Sequence, residues 1–114
     1  MKRFLFAIVA LALTLPAIAS DSASYEALTV ADTAVGITAT TYKPTGQPPM
    51  VRCTARLETA QIRMRDDGTA PTAAVGTPIE IGDVLTFATA ADAQRAKFIR
   101  TGATSGTLHV RCER

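Results

Sequence analysis

The chain has 114 residues, with twelve lysines and arginines against ten acidic residues, one histidine and no tryptophan. Lys2 and Arg3 lie in an apolar N-terminal segment, so the rest of the chain carries equal numbers of basic and acidic side chains. A neutral domain gives no electrostatic basis for non-specific nucleic-acid binding. We therefore expect no nucleic-acid partner.

Residues 1–19 predict a secretory signal peptide. Lys2 and Arg3 form a positive start, residues 4–15 are apolar apart from Thr14, and Pro16 precedes the small-residue pattern of residues 17–19. This order is typical of a leader that is cleaved after residue 19. The apolar run is about a dozen residues, shorter than the roughly 20 that a spanning helix needs. We expect export to the periplasm or the extracellular space, with membrane contact only through an uncleaved leader; a retained membrane anchor is the alternative.

The pattern after the leader predicts an all-β fold. We assign residues 20–33 to an N-terminal segment and residues 34–114 to one β-sandwich domain. Strands are predicted at 34–42, at 51–57 with a continuation through 61–65, at 78–89 with a bend, at 97–101 and at 107–112, with one helical turn at 90–95. Six or seven short strands at this spacing favour a single antiparallel sandwich of immunoglobulin-like or jelly-roll-like type.

Apolar and polar residues alternate in the two segments that contain the cysteines. The odd-numbered residues of 51–57 and the even-numbered residues of 108–112 are apolar, which is typical of half-buried antiparallel strands. Cys53 and Cys112 therefore both face inward, and an even cysteine count in an exported chain suggests a disulfide. If the two strands lie beside or opposite each other, the bridge is sterically allowed. Two free buried thiols are the alternative.

Cationic side chains occupy the outward positions of the predicted strands. They are Arg52, Arg56, Arg63, Arg65, His109 and Arg111. If these strands are neighbours, the residues form a stripe suited to a protein partner or to an anionic or sulfated glycan. The alternative is a solvated sheet face with cross-strand pairs to Glu58 and Glu113.

Two short stretches have turn chemistry. Their residues are Asp66, Asp67, Gly68 and Pro71 in the first, and Gly82 and Asp83 in the second. Aspartate accepts hydrogen bonds from following amides, glycine takes positive φ and proline stiffens the exit. The first stretch lacks the spacing of a calcium loop, so a metal would need further carboxylates from Glu80, Asp83 or Asp92. We expect structural turns and no metal.

Catalytic residue patterns are weak throughout the sequence. His109 is the only histidine, and no serine sits on a strand-turn-helix elbow. One histidine and two cysteines at opposite ends of the domain do not make a zinc ligand set. We expect no enzymatic activity and no cofactor.

The segments AVGITATTY, ARLETAQIRMRDDGTAPTAAVGTPIEIGDVL and FIRTGATSGTLHV share one pattern. An isoleucine-arginine strand leads to DGTxPT, then to a glycine and an apolar-x-x-GD turn. Over about residues 34–111 this resembles small β-rich virion-associated proteins of bacteriophages. The resemblance implies a capsid decoration, head-fibre or tail-associated component that acts by assembly, with capsid proteins or further copies of itself as partners and the virion as its location. The alternative is an exported bacterial β-sandwich domain that binds a glycan or a surface protein.

Overall fold

Eight strands and two short helices make up the computed structural model, which describes residues 23–114. In chain order they are β1 (Ala23–Val30), β2 (Val35–Gly36), α1 (Ala39–Tyr42), β3 (Arg52–Glu58), β4 (Ile62–Arg65), β5 (Thr77–Ile79), β6 (Val84–Phe87), α2 (Ala90–Arg95), β7 (Lys97–Arg100) and β8 (Gly106–Glu113). The predicted signal peptide lies outside the described residues.

The strands form two four-stranded antiparallel sheets. Sheet A has the order β1-β8-β3-β6 and sheet B the order β2-β7-β4-β5. Apart from the β4–β5 hairpin, every pair of consecutive strands crosses from one sheet to the other. The domain is thus a small all-β sandwich, which confirms the predicted fold class.

The core lies where the inner sides of the sheets meet. Its fully buried members include Phe98 and Ile62 from sheet B and Leu57, Leu108 and Val110 from sheet A. The alternation in β8 and in most of β3 puts their apolar residues on this side, as expected for strands with one buried face. The apolar contacts come mainly from aliphatic side chains, with Phe87 and Phe98 as the buried aromatic residues.

The structure confirms the predicted disulfide. Cys53 of β3 and Cys112 of β8 are directly opposite each other in the register of these neighbouring strands. Their Cα atoms are 4.0 Å apart, and the bond joins residues separated by 59 positions in the sequence. Both cysteines are fully buried. The bridge therefore joins the two central strands of sheet A.

The first strand corrects the predicted domain boundary. β1 pairs along its whole length with β8, so the sandwich includes residues that the sequence assigned to an N-terminal segment. The strand that was expected at 34–42 is also shorter than predicted, because only Val35–Gly36 forms a strand there. Glu26 accepts hydrogen bonds from the amide of Thr38 and the hydroxyl of Thr41, and the chain turns into α1 at that point.

The predicted continuation from 51–57 into 61–65 is wrong. Thr59 has a positive φ of 81°, and the chain leaves sheet A there and enters sheet B as β4. A positive φ is uncommon for threonine because its side chain is branched at Cβ. The unusual backbone conformation of Thr59 therefore marks the point where the chain changes sheets. With β1 included, the sandwich has eight strands instead of six or seven.

Three aliphatic residues within the predicted strands 51–57 and 78–89 are exposed. Val51 precedes β3 and is 61% exposed, Ile81 lies in the turn before β6, and Val84 is on the solvent side of sheet A. The helical turn at 90–95 is confirmed, and Thr89 caps it by accepting a hydrogen bond from the amide of Asp92. Within residues 23–114, no helix is long and apolar enough to cross a membrane.

Candidate functional site

The solvent side of sheet A brings together most of the predicted cationic residues. The register places Arg111 opposite both Thr54 and Tyr25, and His109 opposite both Arg56 and Ala27. Opposite residues share a face of the sheet. We call this surface the outer face of sheet A; its residues are Ala23, Tyr25, Ala27, Thr29, Arg52, Thr54, Arg56, Glu58, Val84, Thr86, Thr107, His109, Arg111 and Glu113.

His109 is held between two side chains of the outer face. The Tyr25 hydroxyl is hydrogen-bonded to its Nδ1, and Glu58 Oε2 lies 3.0 Å from its Nε2. The rings of Tyr25 and His109 are stacked with centroids 5.9 Å apart. The contacts order the imidazole from both sides. Tyr25 nevertheless remains 64% exposed, so its ring is a fixed aromatic surface facing solvent.

Glu113 orders two of the arginines. Arg52 donates from Nε at 3.0 Å and Arg111 from Nη1 at 2.9 Å, each to one carboxylate oxygen. These hydrogen bonds, first from Arg52 and then from Arg111, lower the pKa of Glu113. Arg56 makes no salt bridge with any described residue. The cross-strand pairs to Glu58 and Glu113 that the alternative hypothesis expected are thus present. Among the cationic residues of this face, Arg56 has no acidic partner within the described part of the chain.

Arg63 and Arg65 do not join this surface. They lie on β4 in sheet B, whereas Arg52, Arg56, His109 and Arg111 lie on sheet A. The six candidates therefore form no single stripe, because the chain changes sheets between β3 and β4. Arg65 pairs instead with Asp67 at 2.5 Å.

Arg63 braces the loop that follows β4. Its Nε donates to the carbonyl of Ala73 at 2.9 Å and its Nη1 to that of Gly76 at 2.8 Å. Gly76 has a φ of 137°, and an added Cβ would lie 3.0 Å from the carbonyl oxygen of Met64. The arginine and the glycine of the resemblance pattern are therefore in contact and shape one loop.

The predicted turn residues have defined contacts. Asp67 Oδ1 accepts from the amide of Thr69 at 3.1 Å, Gly68 has a φ of 83°, and Pro71 is buried. The hydrogen bond from Arg65, together with that from Thr69, lowers the pKa of Asp67. Asp66 makes no hydrogen bond with a described residue.

The second turn is closed in a similar way. Gly82 has a φ of 90°, and Asp83 Oδ2 accepts from the amide of Glu80 at 2.9 Å.

Two clefts lie at the ends of the helices. A polar cleft of about 390 Å³ is lined by Asp66, Asp67 and Asp92 together with Arg95. Arg95 pairs with Asp92 at 2.5 Å, and this contact lowers the pKa of that carboxyl. No group of three or more histidine, cysteine or carboxylate residues within 23–114 is arranged to hold a metal.

The second cleft is larger and mainly apolar. It has a volume of about 510 Å³ and is lined by the end of α1, the residues before β3 and the start of α2. Neither this cleft nor the place of Tyr25 on the outer face of sheet A was predicted from the sequence. The alternation of Leu28 and Val30 with polar or small residues could have indicated β1, and with it the aromatic residue of the outer face.

Comparison with protein-family models, with curated proteins and with solved structures finds no match to the chain. The function must therefore be inferred from the chemistry of the described residues and from the resemblance in their turn pattern.

Proposed function

We propose that this protein is a non-enzymatic binding module that docks a protein partner through the outer face of sheet A. The observation that carries this proposal is the combination of an exposed, fixed tyrosine with ordered arginines on one rigid sheet. Tyrosine and arginine are enriched where proteins bind each other. Since Tyr25, Arg52 and Arg111 are already held by His109 and Glu113, docking costs little side-chain entropy.

The distribution of charge and apolar surface supports a protein partner. The outer face carries three arginines and one histidine together with two glutamates, and this mixture of charges suits a mixed polar surface better than a uniform polyanion. Val84 lies opposite Arg56 on β6 and is 63% exposed, so the face also offers apolar area. A glycan that stacks on Tyr25 is the second ligand class that this surface accommodates.

The geometry around His109 favours binding over catalysis. A carboxylate, an imidazole and a hydroxyl are connected in series, as in hydrolytic sites. Here, however, they lie on an open sheet face, and neither of the two clefts is lined by Glu58, His109 or Tyr25. Among residues 23–114, neither cleft therefore offers a substrate an enclosed position next to the tyrosine oxygen. We therefore propose that the series holds Tyr25 in place.

The disulfide supports a location outside the reducing cytoplasm. A buried bridge between central strands is compatible with an oxidising compartment, where disulfides persist. We propose that residues 1–19 direct export and that the module works in the periplasm or outside the cell.

A virion-associated role is the second candidate, and the loop after β4 favours it. Arg63 and Asp67, which belong to the pattern that resembles phage proteins, hold the backbone of this loop at Ala73 and Gly76 and at Thr69. Such a rigid scaffold suits a decoration-type protein that attaches to a capsid or to copies of itself. In this case the outer face of sheet A is the surface that would contact the particle.

Site-specific photo-cross-linking in the native source tests the binding face and separates the two candidates. A photoreactive phenylalanine analogue replaces Tyr25 in one sample and Val75, which is 52% exposed in the loop before β5, in the other. We expect a discrete cross-linked species from position 25 only, lost when Arg56 is also replaced by Glu. A capsid protein or a second copy in that species favours the virion role, and an envelope or surface protein favours the exported module. Equal cross-linking at both positions would contradict the assignment of the face.

A further inference from the structure

The mainly apolar cleft between the helices has the properties of a small-molecule site. Met50 is almost fully buried, while Val51, a large aliphatic residue, is exposed on the cleft wall. Alanines of α2, including Ala91, line the opposite side. A volume of about 510 Å³ lies within the roughly 300–1,000 Å³ range of ligand pockets.

A small set of polar side chains lines the same cleft. Tyr42, Lys43 and Gln94 have no side-chain hydrogen bond to any described residue. Lys43 makes no salt bridge in this part of the chain either, and it is the only charged residue among those lining the cleft. An apolar pocket with a few polar groups is typical of a ligand site, and the one charged side chain that lines this cleft is positive.

The amides of residues 49–51, on one wall of the cleft, are not free to bind a ligand. The amide of Met50 donates to the carbonyl of Tyr42, and the amide of Val51 donates to that of Glu113, both at 2.8 Å. Pro49 has no amide hydrogen. An extended peptide binds by adding main-chain hydrogen bonds to a free edge, and residues 49–51 have no free amide to donate to one. The occupant that fits is a small molecule recognised by its apolar body and its charge.

We infer that this cleft binds a small amphipathic monocarboxylate, with its aliphatic part against Met50, Val51 and Ala91 and its carboxylate at Lys43. Tyr42 and Gln94 supply further donors for the carboxylate oxygens. This site is separate from the outer face of sheet A and does not depend on the partner proposed for that face.

Titration of the isotope-labelled protein, expressed from its full sequence, with octanoate tests the inference. We expect the largest amide shifts at Val51, Lys43 and Ala91, with a dissociation constant of about 1 mM. Hexanoate should bind more weakly, by about fourfold for each methylene removed. Octylammonium, which carries the opposite charge on the same chain, should bind more weakly than octanoate.

Matched variants separate charge recognition from the apolar contact. Lys43→Gln should weaken octanoate binding about two- to fivefold, as expected for an exposed ion pair, and leave octanol binding unchanged. Lys97→Gln removes the same charge from β7 and should change neither. Ala91→Phe fills the cleft and should abolish binding of both ligands, whereas Ala103→Phe, in an exposed loop, should not.

Two results would overturn the inference. One is the absence of cleft shifts at 10-fold the expected dissociation constant, about 10 mM octanoate. The other is equal weakening by Lys43→Gln and Lys97→Gln, which would mean that the carboxylate responds to net charge and not to the cleft.

Discussion

At the scale of single residues, Gly106 occupies the most confined glycine position. An added Cβ would lie 2.7 Å from Ile62 Cγ2 and 2.9 Å from the carbonyl oxygen of Ala60. Gly106→Ala should therefore lower the free energy of unfolding by about 1–3 kcal/mol, the cost of overpacking a core. Gly102→Ala is the matched control, since nothing lies within 4 Å of its added Cβ and a change within about 0.5 kcal/mol is expected. Urea unfolding of the oxidised protein measures both, and equal values would contradict the packing described for Gly106.

The carboxyl groups of Asp67 and Glu113 provide a test of the surface contacts by pH. Each has a lowered pKa because arginines hydrogen-bond its charged form, Arg65 for Asp67 and Arg52 for Glu113. The unfolded chain therefore binds more protons in acid, so these contacts stabilise the protein above the ordinary carboxyl pKa of about 4 and are lost as the pH falls through the lower folded values.

Titration of the side-chain carboxyl carbons by NMR checks this assignment. Arg65→Gln should raise the pKa of Asp67 and leave that of Glu113 unchanged, and Arg52→Gln should do the reverse. If either variant shifts both groups equally, the shifts come from net charge and not from the named contacts.

At the scale of elements, the braced loop after β4 depends on one side chain. Arg63 is half-buried and bonds two carbonyls that are three residues apart, at Ala73 and Gly76. A lysine cannot reproduce this forked geometry. Arg63→Lys should lower stability by about 1–2 kcal/mol and speed hydrogen exchange in residues 72–76. Arg95→Lys, an exposed contact within α2, should change stability by less than about 0.5 kcal/mol; unchanged loop exchange in Arg63→Lys would contradict the bracing role.

The central strands of sheet A depend on their bridge. Cys53 and Cys112 close a loop of 59 positions, for which the chain-entropy model predicts roughly 4 kcal/mol of stabilisation through the unfolded state. The double variant Cys53→Ala, Cys112→Ala should lose about that amount and gain nothing from an oxidant. Urea midpoints with and without reductant measure the loss. A wild-type midpoint that does not respond to reductant would show that the bridge contributes little.

For the molecule as a whole, the alternation of apolar and polar residues predicted which side chains of a strand face inward. It did not predict structure that depends on contacts with residues far away in the sequence. The patterns of β3 and β8 were sufficient to predict that Cys53 and Cys112 both face inward, and the pairing of the two strands then places them opposite each other. The replacement of the strand expected at 34–42 by β2 and α1 was not predictable in this way. It depends on Glu26 of β1, which accepts hydrogen bonds from Thr38 and Thr41.

The candidate site was also predictable only in part. The four cationic residues on β3 and β8 were expected to share a face, and they do. Arg63 and Arg65 were expected to join them, but the change of sheet at Thr59 puts them elsewhere. Tyr25 was missed because β1 gains its role only by pairing with β8, more than 75 residues further along the chain. Residue parity is a local property, whereas membership of a sheet is not.

We propose that this protein is an exported binding module whose sheet A is held together by the Cys53–Cys112 bridge. The most direct test is the intact mass of the protein from its native source, measured without reductant and followed by proteolysis. If the module is exported and bridged, the chain should lack residues 1–19, be lighter by two thiol hydrogens and yield one linked peptide containing both cysteines. A full-length chain with two thiols open to alkylation would contradict it.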